Sequence, residues 1–412
     1  MDWIIIIILS TTLITYKIFK IGDLFSPWSI TTIVWLGIIF LFQIENDLLY
    51  PLSNQFYTSL FIWIPIFCMS SIFSFYAFPA FKDYSPEQSF RVGAINHSIY
   101  NVFFILTMIM TPLYVYQILK IVMMFDTTDL LFNLRYYAVN GENDFGIIKY
   151  SYIINLTLYV ISIWEYPKIS KLKLFAVLIA LLMSQFALME KNGLFLLAVS
   201  TLFALYSKRK ITARTIAFTF LAIVFLFFFI NFSKEIKSDS QAESASFLDF
   251  IGVYILSPSV AFGYITPDLS NQFGAHCFSY FYNILDSLGI GNYVLYERLQ
   301  GYVLVPLPTN VYTIFQPIYQ DFGYMGIGVF AFLYGTLTGV AYRLYYYGNI
   351  IAICTYTYLA KVLFVQFYHE DFIMSIATFG QFILLVTIIS LTWRTPQEKQ
   401  PESPQETQLL AI

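Results

Sequence analysis

Long apolar runs recur along almost the whole chain, with short polar connections between them. A bilayer core about 30 Å thick needs roughly 20 apolar helical residues, and the runs predict about eleven membrane-spanning helices. They lie near residues 2–19, 27–45, 57–78, 99–124, 147–164, 172–189, 193–207, 214–232, 322–346, 350–367 and 374–393. The pattern predicts an all-α, polytopic membrane protein.

One segment, residues 233–321, is too long to be a simple connection. Loops of this length are usually functional or disordered, and this one carries two half-apolar stretches at 247–265 and 278–296. Asp249 and the Ser-Pro-Ser sequence at 257–259 make a lipid-exposed span costly. We therefore expect interfacial or re-entrant helices packed on the bundle. If both stretches crossed the membrane, the count would be about thirteen and both chain ends would keep their sides.

The basic residues of the connections alternate between the two sides of the membrane. One side receives Lys17, Lys20, Lys82, Arg91, Lys168, Lys171, Lys173, Lys208, Arg209, Lys210, Arg214, Arg343, Arg394 and Lys399. Cytoplasmic loops are enriched in Lys and Arg, so we expect the N-terminus, retained as the first span, on the outer side of the membrane and the C-terminus in the cytoplasm. The predicted parts are an N-terminal bundle of about eight helices (1–232), a large loop on the outer side (233–321), about three C-terminal helices (322–393) and a disordered cytoplasmic tail (394–412).

Composition supports the prediction of a membrane protein and excludes several functions. Hydrophobic residues make up 58% of the chain, charged residues 11%, and the mean hydropathy is +0.68, whereas soluble domains are about 25% charged. The basic residues form no face for nucleic acid, and no Gly-rich nucleotide-binding motif is present. The three cysteines suit packing better than disulfides, and no metal-ligand spacing occurs, so we expect no metal and no cofactor.

Cationic residues are few on the predicted outer side. They are Arg135, Lys191, Lys234, Lys237 and Arg298, with Lys149 near a helix end and Lys361 inside the tenth span. Two interpretations stay open. These side chains can anchor or pair at the interface, Lys361 by extending outward, or some of them can bind phosphate, which Arg and Lys both recognise. Without a cytoplasmic substrate domain, such a phosphate would arrive on a lipid.

Candidate acids and bases lie on the same side. They are Asp268, Asp286, Glu297, Asp321, His369, Glu370 and Asp371. A carboxylate beside His369 could orient its ring for proton abstraction, although a surface histidine can also be merely solvated. Asp321 is a second candidate base, but it can equally cap the following helix. His276 is a weaker candidate, and His97 is predicted to be cytoplasmic.

Three short motifs carry a resemblance to a known family. The segment Asn310–Gly326 reads NVYTIFQPIYQDFGYMG and resembles the signature of oligosaccharide repeat-unit polymerases, the Wzy O-antigen polymerase family. The sequence from Tyr254 to Pro258 is similar to the family's Tyr and Ser-Pro element, and Leu134-Arg135 to its Leu-Arg after the fourth helix. Residues 189–193 depart from the family's small-residue turn with Arg, so Lys191 would supply that charge.

The resemblance implies a GT-C-like fold and a glycosyltransferase at the periplasmic face of the bacterial inner membrane. It would polymerise undecaprenyl-pyrophosphate-linked repeat units into O-antigen of lipopolysaccharide or a similar surface polysaccharide. The residues assigned on this basis are Arg135, Lys191 and Arg298 for pyrophosphate, Asn310, Tyr312, Tyr319 and Tyr254 for glycan, and His369 with Glu370, or Asp321, as base.

The implied partners are the lipid-linked glycan, membrane lipid, a Wzz-type chain-length regulator and a flippase, with no nucleic acid. Three alternatives remain at this point. A flippase of lipid-linked oligosaccharide would also have many helices around a charged cavity, but we expect short loops on both of its sides. An O-antigen ligase would share the fold and the large loop. A structural or sensory membrane protein would need no catalytic site.

Overall fold

The computed structural model describes residues 2–44, 49–77, 95–125, 129–140, 145–189, 192–212, 215, 252–268, 272–296, 300–306 and 308–391. Most of this chain is helical. The helices are α1 (Asp2–Ile18), α2 (Pro27–Ile44), α3 (Asn54–Ala77), α4 (His97–Val122), α5 (Leu130–Asn140), α6 (Ser151–Glu165), α7 (Lys171–Leu188), α8 (Asn192–Ser207), α9 (Ser257–Ala261), α10 (Ser279–Ser287), α11 (Phe315–Tyr345), α12 (Ile350–Val365) and α13 (Ile376–Ser390). A short hairpin joins β1 (Val303–Leu304) antiparallel to β2 (Pro308–Thr309).

The helices coincide with every predicted span except the eighth, 214–232, of which only residue 215 lies among the described residues. Among the residues that the structure describes, five segments are long and apolar enough to cross a membrane: Asn54–Ala77, His97–Val122, Gly146–Glu165, Lys171–Leu188 and Phe315–Tyr345. Four further apolar helices are shorter: Pro27–Gln43, Asn192–Ser207, Ile350–Val365 and Ile376–Ser390. The chain is a polytopic, mostly helical membrane protein.

The loops gather at the two ends of the helix bundle. At one end, the Asn192 side chain at the start of α8 donates to Asp371 in the loop between α12 and α13, at 2.7 Å. At the other end, Lys208 after α8 donates to the carbonyl of Trp164 near the end of α6, at 2.7 Å. We call the end that contains Asp371 the site end and the end that contains Lys208 the opposite end.

Helix α11 is bent back on itself near the site end. Its backbone leaves the helical region at Gly323, where φ is 59° and ψ is −150°, a combination open essentially only to glycine. The rings of Phe322 and Phe330, on either side of the bend, are 5.9 Å apart, much closer than eight residues of straight helix allow. The helix therefore begins at Phe315, in the segment predicted as loop, and not near residue 322.

The first arm of α11 enters the apolar core. Phe315 is fully buried and stacks on Trp35 of α2, with ring centroids 5.1 Å apart. The indole nitrogens of Trp35 and Trp63 both donate to Gln366 Oε1, at 3.1 and 3.2 Å, and the Gln366 carbonyl accepts the Ile314 N–H at 2.9 Å. These bonds hold Gln366, just after α12, against α2, α3 and the start of α11.

The second arm of α11 runs alongside α3. Gly335 and Gly339 lie directly against the backbone of Phe67 and Ser71, so that even a Cβ atom would overlap with α3. Small residues at such a crossing let two membrane helices approach closely and gain dispersion contacts. This close packing sets the position of α11, and with it the site end.

The two stretches predicted as interfacial or re-entrant helices differ in burial. Residues 252–264 form consecutive short helical turns, and the members of α9 are all buried. The Gln55 amide of α3 donates to the carbonyls of Phe262 and Ile265 at 3.0 and 2.9 Å, which holds this stretch on the bundle. Helix α10 has no buried residue. As described, both are shorter than the roughly 20 residues of a span.

Candidate functional site

Asp371 is the centre of a buried polar cluster at the site end. Its carboxylate, 0% exposed, forms an ion pair with Lys361 of α12. Its Oδ1 atom accepts hydrogen bonds from Asn192 at 2.7 Å and from the Ser375 hydroxyl at 3.0 Å, and lies 3.2 Å from His369 Nε2. Burial alone would raise the pKa of the Asp371 carboxyl, but the Lys361 ammonium and the His369 bond bring this pKa below its usual range.

Lys361 supplies the charge that makes this burial tolerable. Its side chain is 2% exposed, so it does not end in solvent at the membrane surface. The ammonium reaches along α12 to Asp371 and also lies 5.2 Å from the centre of the Tyr358 ring. A buried carboxylate without a counter-charge would be strongly disfavoured, so the Lys361–Asp371 pair is what allows an ionised group here.

His369 is paired with Asp371 and not with Glu370, the neighbour expected from the sequence. The His369 side chain is 27% exposed. When Nε2 donates its proton to Asp371, Nδ1 is left as an acceptor. Nδ1 is buried and has no hydrogen-bond partner among the described residues. A buried acceptor left unpaired costs roughly 1–3 kcal/mol, a cost that a hydrogen bond from a ligand hydroxyl would remove.

Glu370 organises the loop that carries His369. One carboxylate oxygen accepts the N–H groups of Phe372 and Ile373 at 2.9 and 3.1 Å, and the other accepts that of Met374 at 2.8 Å. The Tyr334 hydroxyl of α11 adds a bond of 2.6 Å. With both oxygens occupied and 2% exposure, the carboxylate resembles a helix N-cap for the turn that leads into α13.

Asp321 also holds a loop. It lies in the first arm of α11, and its carboxylate accepts the N–H of His276 at 3.0 and 3.1 Å and that of Cys277 at 2.7 Å. It thus caps the turn at 272–278 and not the helix that follows it. Burial raises the pKa of the Cys277 thiol, and the nearby Asp321 and Glu370 carboxylates raise it further. The two acids therefore lie close enough to influence one thiol.

A second histidine–aspartate pair lies on this loop, and its histidine was the weaker candidate base in the sequence. His276 is 6% exposed, and its Nε2 is 3.2 Å from Asp268 Oδ2. Its ring centroid is 4.2 Å from that of Tyr296. The available signal was the aspartate eight residues before the histidine, but nothing in the sequence indicated that Asp321 would fix the intervening turn.

The residues expected to hold glycan are mostly inside the protein. Tyr312 is 5% exposed and donates to the Gly301 carbonyl at 2.9 Å. Tyr319 is 8% exposed and packs between the rings of Phe262 and Tyr324. Asn310 is half-buried. Tyr254 belongs to the helical turn Gly252–Leu256, and its side chain lies outside the described part.

Of the three cations expected to bind pyrophosphate, one can be located. Arg135 is an exposed residue of α5. Its neighbours Leu134 and Tyr137 are buried in a small apolar cluster with Tyr114 and Ala187, at the ends of α4 and α7. Arg135 therefore belongs to the site end. Lys191 and Arg298 lie outside the described residues.

A cavity of about 300 Å³ also lies at the site end, where Ala377 and Thr378 at the start of α13 form part of its lining. Its polar lining consists of Tyr114, Lys149, Tyr150, Tyr152, Thr378 and Gln381. Thr378 is three residues beyond Ser375, which binds Asp371. Within the described ranges, no group of three or more His, Cys, Asp or Glu side chains could hold a metal ion. The arrangement combines an oriented imidazole with a lysine-lined cavity, which suits proton abstraction next to an anion.

Comparison with known proteins gives one relative. The chain is similar to an Escherichia coli (strain K12) protein described as "Putative O-antigen polymerase", with 30% identity over 146 residues, which are 34% of this chain and 36% of that protein. The match thus spans about a third of the relative's length. No family model and no solved structure matches. Over the 146 matched residues, the similarity supports the resemblance to O-antigen polymerases that was noted for the Asn310–Gly326 motif.

Proposed function

We propose that this chain polymerises oligosaccharide repeat units carried on a lipid pyrophosphate, producing O-antigen or a similar surface polysaccharide at the periplasmic face of the inner membrane. One observation carries the proposal. A histidine oriented by a buried, charge-compensated aspartate lies at the same end of the bundle as a cavity that contains Lys149, and this is the end where a lipid head group would reside. The similarity to an O-antigen polymerase supports the same reaction.

The reaction would be a displacement at an anomeric carbon. A hydroxyl oxygen of the acceptor repeat unit attacks this carbon and forms the new glycosidic C–O bond. The bond between the carbon and the pyrophosphate oxygen breaks, and the lipid pyrophosphate leaves with the electron pair. The hydroxyl proton passes to a base on the protein. The site must therefore accept one proton and stabilise negative charge on the leaving group.

His369 is the proposed base. With Nε2–H donated to Asp371, Nδ1 carries the lone pair that would accept the hydroxyl proton, and the Asp371 carboxylate would stabilise the imidazolium that results. Lys361 keeps Asp371 ionised, so the aspartate itself stays unprotonated during the transfer. This division of roles resembles other histidine–carboxylate pairs, in which the acid orients the ring.

The two other candidate bases are proposed as positioning residues. Glu370 orders the backbone between His369 and α13, and Asp321 orders the turn that carries His276. Arg135, Lys191 and Arg298 remain proposals for binding pyrophosphate. Asn310, together with Tyr254, Tyr312 and Tyr319, is proposed to shape the glycan pocket. A chain-length regulator and a flippase are the proposed cellular partners.

Deletion of the gene followed by complementation tests the function. If the chain is the polymerase, the deletion leaves lipopolysaccharide capped by a single repeat unit, and the wild-type chain restores the ladder of longer chains. Bare core would indicate a ligase or a flippase, and an unchanged ladder would remove the chain from this biosynthesis altogether.

Variants of two histidines test the site. His369→Gln should reduce polymer formation by about 10²–10⁴-fold, the usual contribution of a general base, at unchanged protein level in the membrane. His97→Gln is the matched control, because His97 is exposed at the start of α4 at the opposite end. Normal ladders in the His369 variant would remove this residue from the chemistry.

A further inference from the structure

The cavity at the site end has the composition of an anion site. Lys149 brings the positive charge, while Tyr114, Tyr150, Tyr152 and Thr378 bring hydroxyl groups and Gln381 an amide. Hydroxyl, amide and ammonium groups can all donate hydrogen bonds to one ligand. The donor groups come from α4, α6, α13 and the turn Gly146–Tyr150 before α6, so folding of the bundle brings them together.

Lys149 is not neutralised by a carboxylate among the described residues. Its ammonium lies 5.6 Å from the centre of the Tyr150 ring, which is a cation–π contact. Such a contact orients the side chain but uses none of its three N–H donors on an acceptor oxygen. The ammonium keeps that capacity for a ligand.

The cavity and the histidine–aspartate pair share two structural elements. Ser375 binds Asp371, and Ala377 and Thr378, just beyond it, line the cavity. Across from them, Leu188 at the end of α7 lines the cavity, and Asn192 at the start of α8 binds Asp371. A ligand in the cavity would therefore contact the same end of α13 that carries Ser375, at the end of the bundle that holds the proposed base.

We propose that this cavity binds the pyrophosphate head group of the lipid carrier, with Lys149 as its principal cationic ligand and Thr378 and Gln381 as hydrogen-bond donors. This inference rests on the proposed function, which supplies the chemical class of the ligand. A volume of about 300 Å³ is at the lower end for ligand pockets. It fits a head group, and the polyprenyl chain and the oligosaccharide would extend outside.

Direct binding tests the inference without requiring turnover. The full chain, reconstituted in phosphatidylcholine nanodiscs, is titrated with undecaprenyl pyrophosphate, and inorganic pyrophosphate is added as a competitor in parallel. Loss of a charge-assisted hydrogen bond should weaken binding of the lipid by at least about tenfold in Lys149→Gln, while Lys149→Arg should retain most of it. Lys120→Gln removes an exposed cation near the C-terminal end of α4, which lies at the site end. This control variant should bind the lipid like wild type.

The arms of the experiment separate the sources of the anion. Competition by inorganic pyrophosphate would show that the cavity recognises the anion itself; binding of the lipid without such competition would show that the lipid anchor is needed as well. Both results support the inference if they depend on Lys149. Equal binding of undecaprenol, or unchanged affinity in Lys149→Gln, would overturn it. Thr378→Val provides a second test, with about threefold or greater weakening expected, should Lys149→Gln fold poorly.

Failure of the inference can be told apart from failure of the proposed function. If the deletion strain accumulates single-repeat lipopolysaccharide but Lys149→Gln binds the lipid normally, the function holds and the cavity is not the pyrophosphate site. If Lys149-dependent binding is found but the ladder is unchanged by the deletion, the cavity binds a lipid pyrophosphate and the proposed reaction is wrong.

Discussion

The Lys361–Asp371 pair allows a quantitative test of how the site is built. In Lys361→Met the ammonium is lost, and a carboxylate that is 0% exposed is left without its counter-charge. In Asp371→Asn the reverse occurs, and a buried ammonium is left alone. Removing one partner of a buried ion pair typically costs about 3–5 kcal/mol. Each single variant should be destabilised by that amount.

The double variant is the informative one. Lys361→Met combined with Asp371→Asn removes both charges together, and the new amide oxygen can still accept from Asn192 and Ser375. Neither of the two buried sites then holds an uncompensated charge. We expect the double variant to be destabilised by at least about 2 kcal/mol less than the sum of the two single variants, which is within the range of coupling energies for contacting residues.

The three cysteines provide the readout. Cys68, Cys277 and Cys354 are free and buried, so a thiol-reactive dye reports unfolding of the detergent-solubilised chain as denaturant is raised. Lys120→Met, at an exposed position, is the control and should stay within about 0.5 kcal/mol of wild type. Strict additivity in the double variant, or single-variant losses below about 1 kcal/mol, would contradict the described ion pair.

Three further predictions follow from the site end. Gly323→Ala should destabilise the chain by about 1–3 kcal/mol through backbone strain alone, because nothing lies within 4 Å of the added Cβ; thermal unfolding followed by tryptophan fluorescence would measure this, and an unchanged midpoint would argue against the bend. Glu370→Gln should cost about 1–2 kcal/mol through weaker capping, and we expect hydrogen exchange at Phe372 and Met374 to quicken; unaltered exchange would count against the cap. The pKa of Asp371 is below its usual range in the folded chain, so its stabilising contribution is present above the unfolded pKa of about 3.9 and is lost only as pH falls through the folded value. The difference in unfolding free energy between wild type and Asp371→Asn should therefore not decrease as pH is lowered from 8 to 5, and a decrease within that window would show that the ion pair is not formed as described.

The helices could be predicted because each span carries its own apolar composition, independent of its neighbours. The bend of α11 could not. Pro317 and Gly323 both read as signals for the start of a helix, since proline is tolerated in a first helical turn and glycine at a boundary. The burial of Phe315 depends on Trp35 and Trp63, which are far away in the sequence. Helix α5 was also not predicted, because it has only 11 residues and no long apolar run.

Residues singled out from the sequence lie near one another in the structure, but their contacts could not be predicted. His369, Glu370 and Asp321 were singled out, and the structure places all three at the site end. The partner of His369 is Asp371. A partial signal for this pairing is present in the sequence, because alternate residues of an extended chain face the same side, which favours Asp371 over Glu370. The contact of Asp371 with Lys361 and the turn that Asp321 holds around His276 depend on tertiary packing, for which no local signal exists.

Reconstitution of the reaction with purified components tests the central claim most directly. The purified chain in lipid vesicles is mixed with a lipid-pyrophosphate-linked repeat unit of the host strain, and the products are separated by size. The account predicts a ladder of lipid-linked polymers with wild type and with His97→Gln, and essentially no chain beyond the single unit with His369→Gln. A ladder of equal extent with His369→Gln, or only unextended repeat units with wild type, would contradict it.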